Sequence, residues 1–180
     1  MISGPSGAGK GTLVALLRER HPGLGLTVSA TTREPREGEV DGKSYYFLSD
    51  DEFKRRVDAG EFVEWAEVHG HAYGTLASEV SSKLASGSSL VLEIDVQGAF
   101  QVKERFPDAV LVFIMPPSLE VLSERLRGRG TETAESIELR LANAEREMAL
   151  ADRYDDVVVN DDLDRACDEL LAVIEKHERN

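Results

Sequence analysis

The stretch Gly4-Pro5-Ser6-Gly7-Ala8-Gly9-Lys10-Gly11-Thr12 decides the fold class. Gly4 and Gly9 stand five apart, a lysine follows directly, and Leu13, Leu16 and Leu17 begin an apolar helical pattern. Glycines let the backbone turn tightly enough to aim successive N–H groups at one anion, and the helix behind them adds its positive end. Lys10 then reaches the outer phosphates of a nucleoside triphosphate. The residues expected to cradle it are Gly4, Pro5, Ser6, Gly7, Ala8, Gly9, Lys10, Gly11 and Thr12. The strict pattern has Ser or Thr directly after the lysine to hold magnesium. Here that position is Gly11, and the hydroxyl follows at Thr12. Such a loop hangs from a buried strand. Only Met1-Ile2-Ser3 precede Gly4, so the expectation is a very short strand or a chain that begins further upstream.

With 180 residues, 41% hydrophobic and 31% charged, the chain is expected to form one globular core with room for a small inserted subdomain. Cys167 is the single cysteine, so no internal disulfide exists. It lies on an apolar helical stripe, where a buried, inert thiol is expected. No apolar run has transmembrane length and no signal peptide is visible, so a cytoplasmic protein without a membrane partner is expected. A net charge of −13 argues against a nucleic-acid-binding face. It does not argue against small anions, because a few arginines dominate the field inside a cleft. His21, His69, His71 and His177 form no metal constellation. Oligomeric state stays open.

Apolar segments alternate with helical patterns, the mark of an α/β chain whose mostly parallel sheet is covered by helices. Buried strands are expected at Leu26–Ala30, Leu90–Ile94, Val110–Met115 and Val157–Val159. Ser49-Asp50-Asp51-Glu52 is a capping-box pattern for a helix that stops at Gly60. Further helices are marked by Leu119, Leu122 and Leu126, and by Ile137, Leu141, Ala144 and Met148. The last runs along Leu163, Ala166, Cys167, Leu170, Leu171 and Ile174, capped by Asp161 or Asp162. Residues 32–75 read as a small mixed α/β insertion. Residues 125–149 carry the arginines and glycines of a mobile lid. The core would then comprise residues 1–31, 76–124 and 150–180 of one domain.

Phosphoryl transfer needs in-line positioning and positive charge more than covalent chemistry. Lys10 supplies part of that charge, and Arg125, Arg129 and Arg140 are further candidates beside the alternative of solvated surface arginines. Arg33 and Arg36 bracket Pro35, a rigid turn that presents two guanidinium groups to a phosphate monoester. Tyr45 and Tyr73 can donate to the same anion. Tyr45 and Phe47 share one strand face, with Tyr46 opposite. Glu64 stands in an apolar stretch and needs a donor. Guanine offers one carboxylate an adjacent N1–H and N2 amino group, whereas adenine leaves it unpaired, a mismatch worth up to about 10⁴-fold. An internal ion pair with an arginine is the alternative. Glu93 and Asp95 close a strand where ligands of α/β sheets gather. Either can face magnesium directly or through water, and Asp95 can also cap the next helix.

Taken together these residues resemble the guanylate kinase family. The resemblance includes the phosphate loop, Ser29-Ala30-Thr31-Thr32-Arg33-Glu34-Pro35-Arg36, Asp41-Gly42-Lys43-Ser44-Tyr45, Glu61-Phe62-Val63-Glu64-Trp65 and Tyr73-Gly74-Thr75. It continues through Leu92-Glu93-Ile94-Asp95-Val96-Gln97-Gly98, Arg127-Gly128-Arg129-Gly130-Thr131-Glu132 and Val159-Asn160-Asp161-Asp162. It implies a P-loop nucleotide kinase fold with a GMP-binding insertion and an arginine-bearing lid. The implied activity is ATP-dependent phosphorylation of GMP, and of dGMP, with magnesium. In this likeness Ser29, Glu64 and Thr75 read the guanine edge, and Arg33, Arg36, Tyr45 and Tyr73 hold the GMP phosphate. Asp95 belongs to the GMP site, and Asn160 lies near the adenine of ATP. Lys10, Arg129 and Arg140 stabilise the transferring group, and Thr12 and Glu93 stand near the metal, Glu93 through water. Gly11 departs from the Ser that many members carry. A phosphopeptide-binding module on the same fold, and a kinase of another monophosphate, are the two other readings.

Overall fold

A computed structural model describes residues 1–68, 70–85, 87, 89–128 and 133–178. In chain order the first elements are β1 (Ile2–Ser3), α1 (Lys10–Arg20), β2 (Gly25–Leu26), β3 (Ala30–Thr31), β4 (Tyr46–Phe47) and α2 (Asp50–Asp58). Then come β5 (Phe62–Val68), β6 (His71–Leu76), α3 (Ala77–Leu84), β7 (Leu90–Val91) and α4 (Val96–Arg105). The chain ends with β8 (Val112–Met115), α5 (Leu119–Arg127), α6 (Ala134–Met148), a 3-10 turn at Ala151–Arg153, β9 (Asp156–Val159) and α7 (Leu163–Glu178). Contacts divide these into two compact units, Met1–Pro22 with Ala109–Asn180, and Gly23–Asp108.

The first unit is built on the parallel sheet β1-β8-β9. Its middle strand β8 is an unbroken apolar run, with Val112, Phe113 and Ile114 all buried, as expected of a parallel strand covered on both faces. The short strand before the phosphate loop is real: Ile2 and Ser3 pair with Val112 and Phe113. Helix α7 lies against α1, joined by Arg20 to Asp164 and Asp168. Asp162 is its cap, accepting from the Arg165 N–H at 2.9 Å. Cys167 is a buried free thiol on its apolar face. Leu122 and Leu126 of α5 bury against Ile137 and Ala144 of α6, which fixes the two helices flanking residues 129–132. Those four residues lie outside the described ones, so the expectation for Arg129 has no structural account.

The second unit holds two sheets, the parallel pair β2-β7 and the mixed sheet β4-β3-β6-β5. In the mixed sheet β3 runs parallel to β4 and antiparallel to β6, and β5 pairs antiparallel with β6. The single strand expected over Leu26–Ala30 is two: β2 pairs with β7 and β3 with β4 and β6. The chain changes sheets between them, and a continuous apolar run does not reveal such a change. The expected strand from Leu90 likewise ends as β7 at Val91. Ser49 caps α2, accepting from the Glu52 N–H at 3.2 Å. Phe53 of α2 stacks on Phe62, with centroids 4.5 Å apart, in a core with Ala30 and Leu76.

Candidate active site

In the first unit the loop from Gly4 to Gly9 leads from β1 into α1. Helix α1 has no side-chain cap and no acidic residue in its first turn, so its leading N–H groups are left to an anion. Gly9 adopts φ +89°, and a Cβ there would collide with the Asn160 side-chain amide. Both facts demand glycine. The amide in question donates from Nδ2 to the Ala8 carbonyl at 2.8 Å. Arg125 completes the bracket, donating from Nη2 to the Asn160 carbonyl at 2.9 Å and from Nη1 to the Ala8 carbonyl at 3.4 Å. Asn160 is buried and its amide braces the loop. Lys10 lies folded over the loop, its Nζ donating to the Gly4 carbonyl at 2.5 Å and the Pro5 carbonyl at 3.1 Å. Arg140, from α6, donates to the Ser6 hydroxyl at 3.1 Å. Lys10, Arg140, Ser6 and Asn160 are therefore gathered around one loop. Gly11 and Thr12 are exposed in the first turn of α1.

In the second unit Arg33 is held edge-on by Glu39, with Nη2 donating to Oε1 at 2.8 Å and Oε2 at 2.9 Å. Glu39 Oε2 also accepts from the Arg36 N–H at 2.7 Å, so one carboxylate fixes the turn containing both arginines. The guanidinium beside it holds the Glu39 carboxyl below its usual range. The Arg33 Cζ lies 5.5 Å from the centre of the Tyr45 ring, within cation–π range. Tyr73 meets Tyr45 edge-on at 6.1 Å. The structure thus brings Arg33, Tyr45 and Tyr73 together, while the Arg36 side chain is exposed. Tyr45 shares its face with Phe47, as the alternation implies, their ring centroids 5.9 Å apart. The Tyr46 hydroxyl instead donates to Glu79 Oε1 at 2.7 Å. Burial, then the Glu93 charge, push the Tyr45 phenol up.

Glu64 is 4% exposed, and no cation pairs with it among the described residues, so the ion-pair alternative finds no partner there. Its pKa is pushed up to about 7, first by burial and then by the Asp95 charge. The Thr75 hydroxyl and amide, opposite it in the β5–β6 register, pull the other way. The Thr75 hydroxyl is itself buried and makes no hydrogen bond of full geometry. A polar pair buried this way is costly until a donor arrives. Asp95 caps α4, accepting from the Gly98 N–H at 2.7 Å. Gly98 sits directly under Glu64, where a Cβ would collide with Oε2. Ser29 is half-buried, and its carbonyl accepts from the Tyr46 N–H at 2.9 Å.

Sequence reasoning missed Glu39, Gly98 and the bracing role of Arg125. Glu39 follows Arg33 by six residues across a turn, a spacing with no meaning until the turn is known. No group of three or more acidic, histidine or cysteine side chains gathers as a metal cage among the described residues. Magnesium that arrives on nucleotide phosphates needs only one or two protein oxygens; the exposed Thr12 hydroxyl in the first unit and the half-exposed Glu93 carboxylate in the second are each of that hard-donor type.

A phosphate loop carried from a parallel strand into an uncapped helix, with basic side chains gathered on it, defines a P-loop nucleotide kinase. The guanylate kinase family profile matches residues 1–177. A guanylate kinase of Gloeobacter violaceus is 58% identical over 179 residues, covering 99% of this chain and 84% of that one. One of Caldanaerobacter subterraneus is 51% identical over 174 residues, covering 97% and 84%. The crystal structure of guanylate kinase from Anaplasma phagocytophilum superimposes with a TM-score of 0.83 at 35% identity, covering 99% of this chain and 85% of that one. This chain belongs to the guanylate kinase family.

Proposed function

We propose that this enzyme transfers the terminal phosphoryl group of ATP to GMP, and to dGMP, giving the diphosphates. The observation that carries the reading is Glu64, a buried carboxylate that pairs with no cation among the described residues. It is matched to a base with two adjacent donors. Ionised, it accepts from guanine N1–H and the N2 amino group, with Thr75, Ser29 and Asp95 completing the base site. Arg33, Arg36, Tyr45 and Tyr73 hold the GMP phosphate, with the Arg33 guanidinium fixed through Nη2 on Glu39 and through Nη1 on the Glu34 carbonyl at 2.6 Å.

ATP lies on the loop, its phosphates taken by the N–H groups of residues 4–12 and the end of α1. Asn160 holds the loop beside the adenine. Lys10, Arg129 and Arg140 offset the charge that spreads over the transferring group. Thr12, and Glu93 through water, would hold magnesium that arrives on the nucleotide, and the ion would supply neutralisation of phosphate charge. Residues 32–75 form the GMP-binding insertion and 125–149 the lid. The reaction belongs to purine nucleotide metabolism in the cytoplasm. No described helix is long and apolar enough to cross a membrane.

An ADP-release assay with saturating magnesium-ATP and GMP, dGMP, AMP, CMP or UMP tests the reading. Turnover with the guanine nucleotides and little with the others is expected. A folded protein that turns over AMP or CMP as well as GMP, or GMP not at all, refutes it.

A further inference from the structure

Gly98, Gln101 and Arg105 share one face of α4 at helical spacing, and all three meet β5, the strand that presents Glu64. Strand β5 is the outer strand of its sheet, so alternate peptide groups have no strand to pair with. Gln101 takes up one of them. Its Oε1 accepts from the Trp65 N–H at 3.2 Å and its Nε2 donates to the Trp65 carbonyl at 2.9 Å. The side-chain amide thus stands where a neighbouring strand's peptide would. Four residues on, Arg105 Nη1 donates to the Phe62 carbonyl at 2.8 Å and reaches the Val63 carbonyl at 3.4 Å. Consecutive carbonyls of a regular strand point to opposite edges. Here the register shifts between Phe62 and Glu64, leaving Val63 as the extra residue of a bulge, and one guanidinium reaches both carbonyls.

The two attachments flank Glu64, at residues 62–63 and at 65. A bulge re-aims the side chains beside it, so the direction of the Glu64 carboxylate depends on how that bulge is held. We propose that Gln101 and Arg105 are positioning residues for guanine recognition. They fasten the bulged outer strand on both sides of Glu64 and so set the discrimination between purine monophosphates that offer two donors and those that offer one. Neither side chain is assigned a contact with the base. The inference rests on the reading of GMP as the acceptor substrate.

Steady-state kinetics with GMP and with IMP, which lacks the 2-amino donor, test it. Gln101→Met keeps the side-chain length and removes both bonds, and Arg105→Met removes the second attachment. Each is expected to raise KM for GMP about threefold to tenfold and to narrow the GMP-to-IMP ratio of kcat/KM. Each should leave kcat and KM for ATP within about twofold. Arg105→Lys retains a donor and should recover most of the wild-type ratio. Both side chains are exposed, so the unfolding midpoints of the variants should stay near that of the wild type. Wild-type KM for GMP and a wild-type ratio in both Met variants would overturn the proposal, as would a loss shared equally by kcat and KM for ATP. Failure of the wild-type chain itself to turn over GMP is a different result. It would overturn the substrate reading, and the recognition role with it.

Discussion

Replacing Glu64 by glutamine should make the ligand-free protein more stable at neutral and alkaline pH while stripping it of its guanine preference. The carboxyl titrates near 7 in the fold instead of 4.5, because burial and the Asp95 charge disfavour the anion. At about 1.4 kcal/mol for each pH unit, that displacement is worth about 3 kcal/mol. Between 4.5 and about 7 the folded chain holds a proton that the unfolded chain has lost. The wild type therefore loses stability as pH rises through that window, and the loss is complete by about pH 8. Glutamine has no proton to lose. The two proteins should be nearly equal at about pH 4, where the acid and the amide are both neutral, and the variant should lead by about 3 kcal/mol at about pH 8. Urea unfolding of both proteins across that range reads the difference. A glutamine amide turns a donor toward the donors of guanine, so kcat/KM for GMP should fall by about two to three orders of magnitude. A stability difference that is flat with pH, or that grows toward acid, refutes the assignment of Glu64 as a carboxyl whose ionisation burial disfavours.

The same titration should appear in the kinetics: KM for GMP should rise toward tenfold per pH unit below about pH 7, and pH-rate measurements on Glu64→Gln should show that dependence gone. Gly98→Ala improves helix propensity by about 1 kcal/mol but drives a methyl into Glu64. It should raise KM for GMP and leave KM for ATP unchanged in a two-substrate assay. Lys10→Ala should cut turnover by at least about 10²-fold with a small change in unfolding midpoint, measured by the ADP-release assay and by thermal melting. Glu39→Gln removes the charge that holds Arg33 and should weaken GMP binding by about 1 kcal/mol or more, read by calorimetry with GMP alone.

What could be read in advance followed from local rules. The phosphate loop is a contiguous motif, and the caps at Ser49, Asp95 and Asp162 depend on residues three apart. The shared face of Tyr45 and Phe47 needed only strand alternation. What escaped depended on contacts far apart in sequence. The switch of sheets between Leu26 and Ala30 is set by different partners on either side, β7 and β6, while the apolar run itself is continuous. Asn160 meets Ala8 across 152 positions, so its role as a brace is invisible in the chain order. Gly98 looks like an ordinary first-turn glycine until the Glu64 carboxylate is found above it.

The posture of Lys10 bears on how nucleotides leave. Its ammonium group rests on the carbonyls of Gly4 and Pro5, so on the proposed site a phosphate arriving at the loop would displace ready-made acceptors. Binding is thus an exchange of partners for that charge, and its net gain is smaller than a bare ammonium would give. The reverse holds at the end of a cycle. On the proposed site a departing diphosphate would return the ammonium to the two carbonyls, and the fold's own acceptors would ease release.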